Sequence, residues 1–448
     1  MVVAKSQIPE KYAADFEAFG GGVDRNGASW VHPLRQRAFA RFEEVGMPTA
    51  RRGNERWKYT NVNSIARATF EHASRVASGN LSLSQVRELA PWDDSWTTIT
   101  FVDGTYASAL SNFPGDSAVE VMSLAKAFSE RRELVEKHLA RYARIEDDDG
   151  FGALNTAFLE DGALIHLKAN GKASAPVQAL FIASKRAQPS VSYPRVLLVA
   201  DRLSDGIFVE SYFSPTEDEY FTDSVVEMEL GEGAALDHYR VMMESGSAHH
   251  IGTTRVHQGR DSRLNSISFA LGAALGRNDL FVNLDDPGAE CTLNGLYMTS
   301  GRQHLDNHIS LTHSKPYTSS NQLYKGILTD KSRAVFSGQV RVEPDAQKVY
   351  ANQKDMNLLL SNGAEVDTKP SLLIYADDVK CFDGAAAGEM DEDVLFYMRS
   401  RGLDLATATA IMIRAFAQQI IDDIRSETVT AYIEGVIERL LPKYQFQR

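Results

Sequence analysis

The sequence predicts a mainly β protein, a β block of over 200 residues held between helix-rich ends. Three observations carry this expectation. Between about Gly162 and Val379, short alternating or β-branched runs recur with Gly, Asp, Asn and Ser between them. No helix-length periodic segment interrupts these runs. On either side of the block, apolar residues return every three or four positions, which is the helical period.

In chain order, Met1 to Phe19 mixes Lys5, Glu10, Lys11, Asp15 and Glu17, too acidic for a transit peptide and without the apolar run of a signal peptide. Leu34, Ala38, Phe42 and Val45 predict a helix that Gly46 and Pro48 stop. Arg51 to Asn61 has no clean period. Trp96 to Val102 reads as a strand, with a tight turn at Asp103-Gly104. A helix is expected from about Ser123 to Ala143, followed by the acidic run Glu146 to Asp149, read as a solvated boundary. Predicted strands then include Ala163–Lys168, Arg195–Ala200, Val225–Leu230, Ala235–Met242, Leu264–Ala270, Thr292–Met298, Ala334–Val342 and Ser371–Tyr375. After Asp391 the helical period returns: Asp391–Ser400, then a helix capped by Asp404 with the stripe Ala408, Ile411, Met412, Ala415, Phe416, Ile420, Ile424, then a third with Val429, Ile433, Val436, Leu440. The expected domains are residues 1–160, 161–390 and 391–448.

Several strand starts resemble one another: Gly233-Ala234-Ala235-Leu236, Asp261-Ser262-Arg263-Leu264, Gly288-Ala289-Glu290-Cys291, Lys331-Ser332-Arg333-Ala334 and Gly363-Ala364-Glu365-Val366. Their spacings are 28, 27, 43 and 32 residues. A β-solenoid coil of short strands and turns fits the shorter steps. The uneven later steps leave a β-sandwich or barrel pair equally open.

Composition narrows the function. Of 448 residues, 47 are Lys or Arg and 60 Asp or Glu, giving a net charge of −13 and arguing against a nucleic-acid binder. Only Cys291 and Cys381 occur, so a disulfide framework is excluded and a reducing, cytoplasmic setting is expected. No window approaches the roughly 18 apolar residues of a membrane span. There is no Walker A loop: Gly171-Lys172 has His166 where the first glycine belongs. Gly231-Glu232-Gly233 lacks the third glycine of a dinucleotide loop. Nucleotide chemistry must therefore come from a partner.

Two clusters carry candidate chemistry. In HLDNHISLTH, strand alternation puts His304, Asp306 and His308 on one face and His313 on the other. That is a three-ligand set on paper, but a polar strand face is the preferred reading, since metal triads usually draw on separate segments. Asp377, Asp378 and Asp383 surround Cys381, and paired carboxylates could serve acid–base chemistry on a polysaccharide; a strand end followed by a turn is the plainer reading. His249 and His250, in a Ser/Gly-rich stretch, are expected to face solvent.

The segment Ala376 to Gly388, ADDVKC-x-x-G-x-x-x-G, resembles the signature of the SufB/SufD family of iron–sulfur cluster assembly scaffolds. Ser319–Leu328 (SSNQLYKGIL), Val335–Ser361 and Leu395–Ala408 (LFYMRSRGLDLATA) extend the resemblance. Met47–Asn61 (MPTARRGNERWKYTN) and Phe151–Phe158 (FGALNTAF) are similar to the D branch specifically. The resemblance implies a right-handed parallel β-helix flanked by helix-rich terminal domains. It implies a non-catalytic scaffold pairing with a SufB-type paralogue through the β-helix, and with a SufC-type ABC ATPase through the C-terminal helices. A homodimer is the third arrangement considered.

An iron–sulfur cluster usually takes about four thiolates, so two cysteines point to no cluster bound alone, but to a nascent cluster or iron shared at the interface with the partner scaffold. The D-type pattern implies a ligand position two residues after Cys381. There the family's KCSHG reads Lys380-Cys381-Phe382-Asp383-Gly384, with Asp383 in the histidine position. Two readings stand: Asp383 replaces imidazole as an iron ligand, or the ligand is lost. Cys381 and Asp383 are the candidate cofactor and metal residues, and no residue is assigned a catalytic role. Cys291 is expected in the core. Lys325, Gln347, Lys348, Asn352 and Gln353 are read as structural polar positions. The rival function is a carbohydrate-active β-helix enzyme using Asp377, Asp378 and Asp383.

Overall fold

A computed structural model describes residues 10–20, 29–50, 53–75, 79–147 and 149–446. The leader reading at Met1–Pro9, Arg51 and Arg52 of the Met47–Asn61 motif, and Asp148 of the acidic run lie outside the described residues.

Eight successive coils each place one strand in each of two sheets that face one another across a single lumen. The first sheet stacks Ala163–Leu167, Arg195–Ala200, Tyr220–Leu230, His249–Gln258, Leu275–Leu284, His304–His313, Arg333–Val342 and Glu365–Ile374. The second stacks Val177–Ile182, Asp205–Phe213, Ala235–Met243, Arg263–Ala270, Glu290–Thr299, Ser319–Leu328, Tyr350–Leu359 and Lys380–Glu389. Every one of these pairings is parallel. That decides for a solenoid, because a sandwich or up-and-down barrel would pair neighbours antiparallel. Thr97–Val102 and Val119–Ser123 prolong the two sheets at the N-terminal end, the second by antiparallel pairing.

The register explains the uneven spacings. Leu236, Leu264 and Cys291 are true partners on consecutive rungs of the second sheet. The 43-residue step to Ala334 crosses sheets: Cys291 pairs with Ser320, while Ala334 pairs with Leu305 and Val366 in the first sheet. Six starts in the second sheet share one device. A residue in the left-handed region lies two positions before the strand: Leu203, Gly233, Asp261, Gly288, Tyr317 and Lys348. Where such a residue is followed by Ala234, Ser262 or Ala289, that small side chain is fully buried in the turn. Gly fits this conformation without a Cβ penalty, whereas Leu203, Tyr317 and Lys348 carry it.

Helices from the two ends cover the outside. Phe39, Phe42, Trp57, Phe151 and Phe158 pack with Phe221, Ile251 and Leu275 of the first sheet. From the tail, Ala408, Ile413, Ala417, Ile420, Val429, Ile433 and Val436 pack with Val209, Tyr239, Val241, Ile267, Phe269 and Leu296 of the second. The tail helices are Glu392–Ser400, Leu405–Ile421 and Glu427–Leu440, and Asp404 caps the second by accepting from Thr407 N at 2.7 Å. Among the described residues no helix is long and apolar enough to cross a membrane.

Several expectations change. Asp149 of the acidic run is not solvated: it is buried, caps the helix Gly150–Ala157 by accepting from Gly152 N at 3.1 Å, and faces Arg255. The single helix from Ser123 to Ala143 is two, Leu124–Glu130 and Arg132–His138, because Arg131 leaves the helical region (φ −128, ψ 34); Leu124, Phe128 and Val135 still reach one apolar cluster with Leu197 and Val199. His249 and His250 are buried, not solvent-facing. They begin a strand whose register puts His250 beside Thr222, and Glu244 holds its Nδ1 at 2.6 Å while Arg240 lies 2.8 Å from Nε2.

Candidate functional site

The last coil gives the site its setting. Glu365–Ile374 and Lys380–Glu389 each have a sheet neighbour on one side only, so two parallel edges end side by side. Exposed edges are pairing templates unless something blunts them. Around them Tyr350, Met356, Ile374, Tyr375 and Phe382 are exposed. The Tyr350 and Phe382 rings lie 6.2 Å apart on the outer face.

Register then orients each candidate. Cys381 pairs with Ala351 and Asp383 with Gln353, and both of those neighbours are fully buried in the lumen. Cys381 and Asp383 therefore share the lumen face, at the open rim, while Phe382 between them points out. Cys381 is half-buried and Asp383 exposed. Burial raises the Cys381 thiol above its ordinary value, with a backbone hydrogen bond to Ala351 opposing it. A metal binding there would have to displace a proton. Thiol and carboxylate two residues apart make a two-donor set for iron, not a closed site. Among the described residues no group of three or more His, Cys, Asp or Glu comes together as a metal site.

One rung inward, Gln353 reaches across the lumen, and its Nε2 donates to Gly338 O at 3.2 Å. Gly338 makes the room, since a Cβ there would stand 2.7 Å from the amide. Gln353 Oε1 has no hydrogen-bond partner, nor has either amide atom of buried Gln322 on the next rung. Beside them Asp355 accepts from Tyr297 Oη at 3.0 Å and Asn357 Nδ2 at 2.7 Å, and burial pushes its carboxyl up to about 6. Gln322 was not singled out in the sequence and Gln353 was read as structural. The signal that joins them to Asp383 is a rung spacing of about 30 residues, which weak repeat identity conceals.

The other candidates fall elsewhere. Cys291 is 3% exposed in the same column as Cys381, three rungs away through Ser320 and Ala351. At roughly 4.8 Å per rung that is about 14 Å, too far to share one ion. His304, Asp306 and His308 do share the outer face, but Asp306 is paired with Arg277, His304 Nε2 lies 2.9 Å from Thr60 Oγ1, and His308 faces Asp279 at 3.5 Å. His313 points inward between Thr318 and Ser320. Asp377 and Asp378 sit in the exposed turn before the last strand, where Asp378 pairs with Lys348. Lys325 is structural, its Nζ donating to Phe416 O at 2.9 Å and lying over the Phe416 ring, which ties the second tail helix to the solenoid.

Comparison with known proteins gives this geometry a context. Residues 181–416 match the family described as SUF system FeS cluster assembly, SufBD core domain, and residues 6–179 match the SufBD protein N-terminal region. The chain belongs to the SufBD family of iron–sulfur cluster assembly proteins. It is 30% identical to the iron–sulfur cluster assembly protein SufD of Escherichia coli strain K12, over 92% of this chain and 93% of that one. It is 32% identical to the SufBD family protein slr0076 of Synechocystis over 83% of each chain, and 26% identical to SufD of Bacillus subtilis over 92% and 94%. Of two cysteines, one is sealed in the core and the other stands at an open rim.

Proposed function

We propose that this chain is a D-type, non-catalytic scaffold subunit of the SUF machinery. In this reading its open last coil meets a B-type paralogue, its tail helices dock an ABC-type ATPase, and the assembly works in the cytoplasm. The observation that carries it is the open rim: two parallel sheets end in unpaired edges with Cys381 and Asp383 just inside them. A rim of that kind supplies two ligands and leaves the remainder to a facing subunit, which suits a nascent cluster or iron as cargo. Asp383 serves as an oxygen donor where the D-type pattern has imidazole.

The tail supports the ATPase contact. On the helix Glu392–Ser400, Phe396 is 74% and Tyr397 59% exposed, beside Val394. Aromatic residues exposed together mark interaction surfaces. The absent Walker loop fits a division in which the partner hydrolyses ATP. We take the coil winding as right-handed, the hand of nearly all parallel crossovers. The division is a head to residue 160, a solenoid core at 161–390 and a tail from 391.

Co-expression with a B-type scaffold and the ATPase tests the reading. Both proteins should co-purify with this chain, and Cys381→Ala or Asp383→Ala should lower cluster yield on the complex with the unfolding midpoint unchanged. A monomer that associates with neither partner defeats the proposal; unchanged yield in both variants reduces the rim to architecture. The same edges can also meet a second copy of the chain, since the Gly384–Gly388 stretch is all Gly and Ala and admits close approach. Light scattering of the isolated chain distinguishes a dimer from a monomer.

A further inference from the structure

We propose that Gln353 is a positioning residue of the Cys381–Asp383 site: its amide oxygen accepts a hydrogen bond from a water coordinated to a ferrous ion on that pair, with Gln322 holding a second water beneath. The inference deepens the reading above and rests on iron binding at Cys381 and Asp383.

Gln322, Gln353 and Asp383 occupy three successive rungs of one lumen column. Adjacent rungs are roughly 4.8 Å apart, so Gln353 stands one rung beneath Asp383 on the same face. Its orientation is fixed from the far wall. Nε2 must be the group facing Gly338 O, since a carbonyl cannot donate, and Oε1 is thereby left as an acceptor without a protein partner. Gly338 preserves this reach, because any larger residue would collide with the amide. Gln322 is likewise buried with both amide atoms unpartnered. Buried polar atoms of this kind are normally satisfied by ordered water.

A ferrous ion on one thiolate and one carboxylate keeps open positions, and water fills those turned inward. Metal-bound water is a strengthened donor. A neutral amide oxygen receives that hydrogen bond without adding charge beside Asp383. Outer partners of this type hold a metal's ligands in place, and their loss typically costs about tenfold or more in affinity.

Anaerobic calorimetric titration of the full chain with Fe²⁺ tests this, with the Co²⁺–thiolate absorption band as a second readout. The wild-type chain should bind one ion and show the band, and Cys381→Ser should lose both. Gln353→Leu should weaken Fe²⁺ binding about tenfold while keeping the band. Gln353→Glu, which keeps an acceptor but loses the donor to Gly338 O, should recover part of the loss, and this partial rescue separates positioning from packing. Gln322→Leu should give a smaller loss and serves if Gln353→Leu does not fold, with no loss overturning the inference. Unchanged affinity in Gln353→Leu, with binding still abolished by Cys381→Ser, overturns the role of Gln353 and leaves the iron site standing. No ion bound and no band in wild type overturns both.

Discussion

His257 shows how a single side chain on the outer face of the first sheet couples neighbouring coils. Its Nε2 lies 3.1 Å from Asp285 and its Nδ1 2.8 Å from Glu229. Those two carboxylates, Asp285 first, raise its pKa to about 9 against the burial that lowers it. The folded value exceeds the ordinary value of about 6.5, so the contribution is fully present below pH 6.5 and is lost as pH rises toward 9. Wild-type protein should therefore lose more stability between pH 6.5 and 9 than His257→Gln, as read from urea midpoints. Parallel pH profiles for the two would show that the sandwich contributes nothing. The pairing was not legible in the sequence, because Glu229, His257 and Asp285 meet only through the fold: Glu229 and His257 are partners across adjacent rungs, and Asp285 follows the next strand.

At the scale of elements, a left-handed turn before six strands of the second sheet sets their register. Where Gly or Asp holds the left-handed position, the sequence shows it, and the quartets at Gly233, Asp261 and Gly288 are that signal. Where Tyr317 or Lys348 holds it, no local propensity betrays the turn, which is why two rungs of the repeat went unseen. Tyr317 has φ 61 and its side chain is largely exposed, so little packing offsets the strain. Tyr317→Gly should raise stability by up to about 1 kcal/mol, the relieved left-handed penalty less the added chain entropy. Thermal unfolding measures it, and a lower midpoint would mean that the ring packs in a way its exposure conceals. The tail helices, by contrast, were legible as elements, as was the Asp404 cap; the stripe of the second helix is shifted from the expected one, with Ala415 exposed and Ile413 and Ala417 buried against the second sheet, and the Asp391 and Ser426 caps emerged only from the structure.

Over the whole molecule, among the described residues, the N-terminal helices and the tail each pack on one outer sheet face, while exposed apolar side chains gather at the solenoid rim and on the first tail helix. Phe396→Ser with Tyr397→Ser should weaken ATPase association by more than tenfold, since exposed aromatic anchors commonly contribute about 2 kcal/mol each at an interface. Because both side chains stand in solvent, the unfolding midpoint should not move. Pull-down together with calorimetry checks both halves, and undiminished association would place the docking surface elsewhere.

The sequence by itself determined the family, the β block between helical ends, half of the solenoid strands, the Asp404 cap and the lack of a phosphate loop, because these depend on local period, capping chemistry and motif. It read Cys381 and Asp383 as a strand end before a turn, whereas both stand on the strand Lys380–Glu389. Only the tertiary structure decided that Cys291 is sealed about three rungs from Cys381, that His249 and His250 are buried, and that Gln353 lies beneath Asp383. The physical reason is register. Partners in successive coils stand 26 to 33 residues apart, a step set by turn lengths and lumen packing together and not by any residue's own preference.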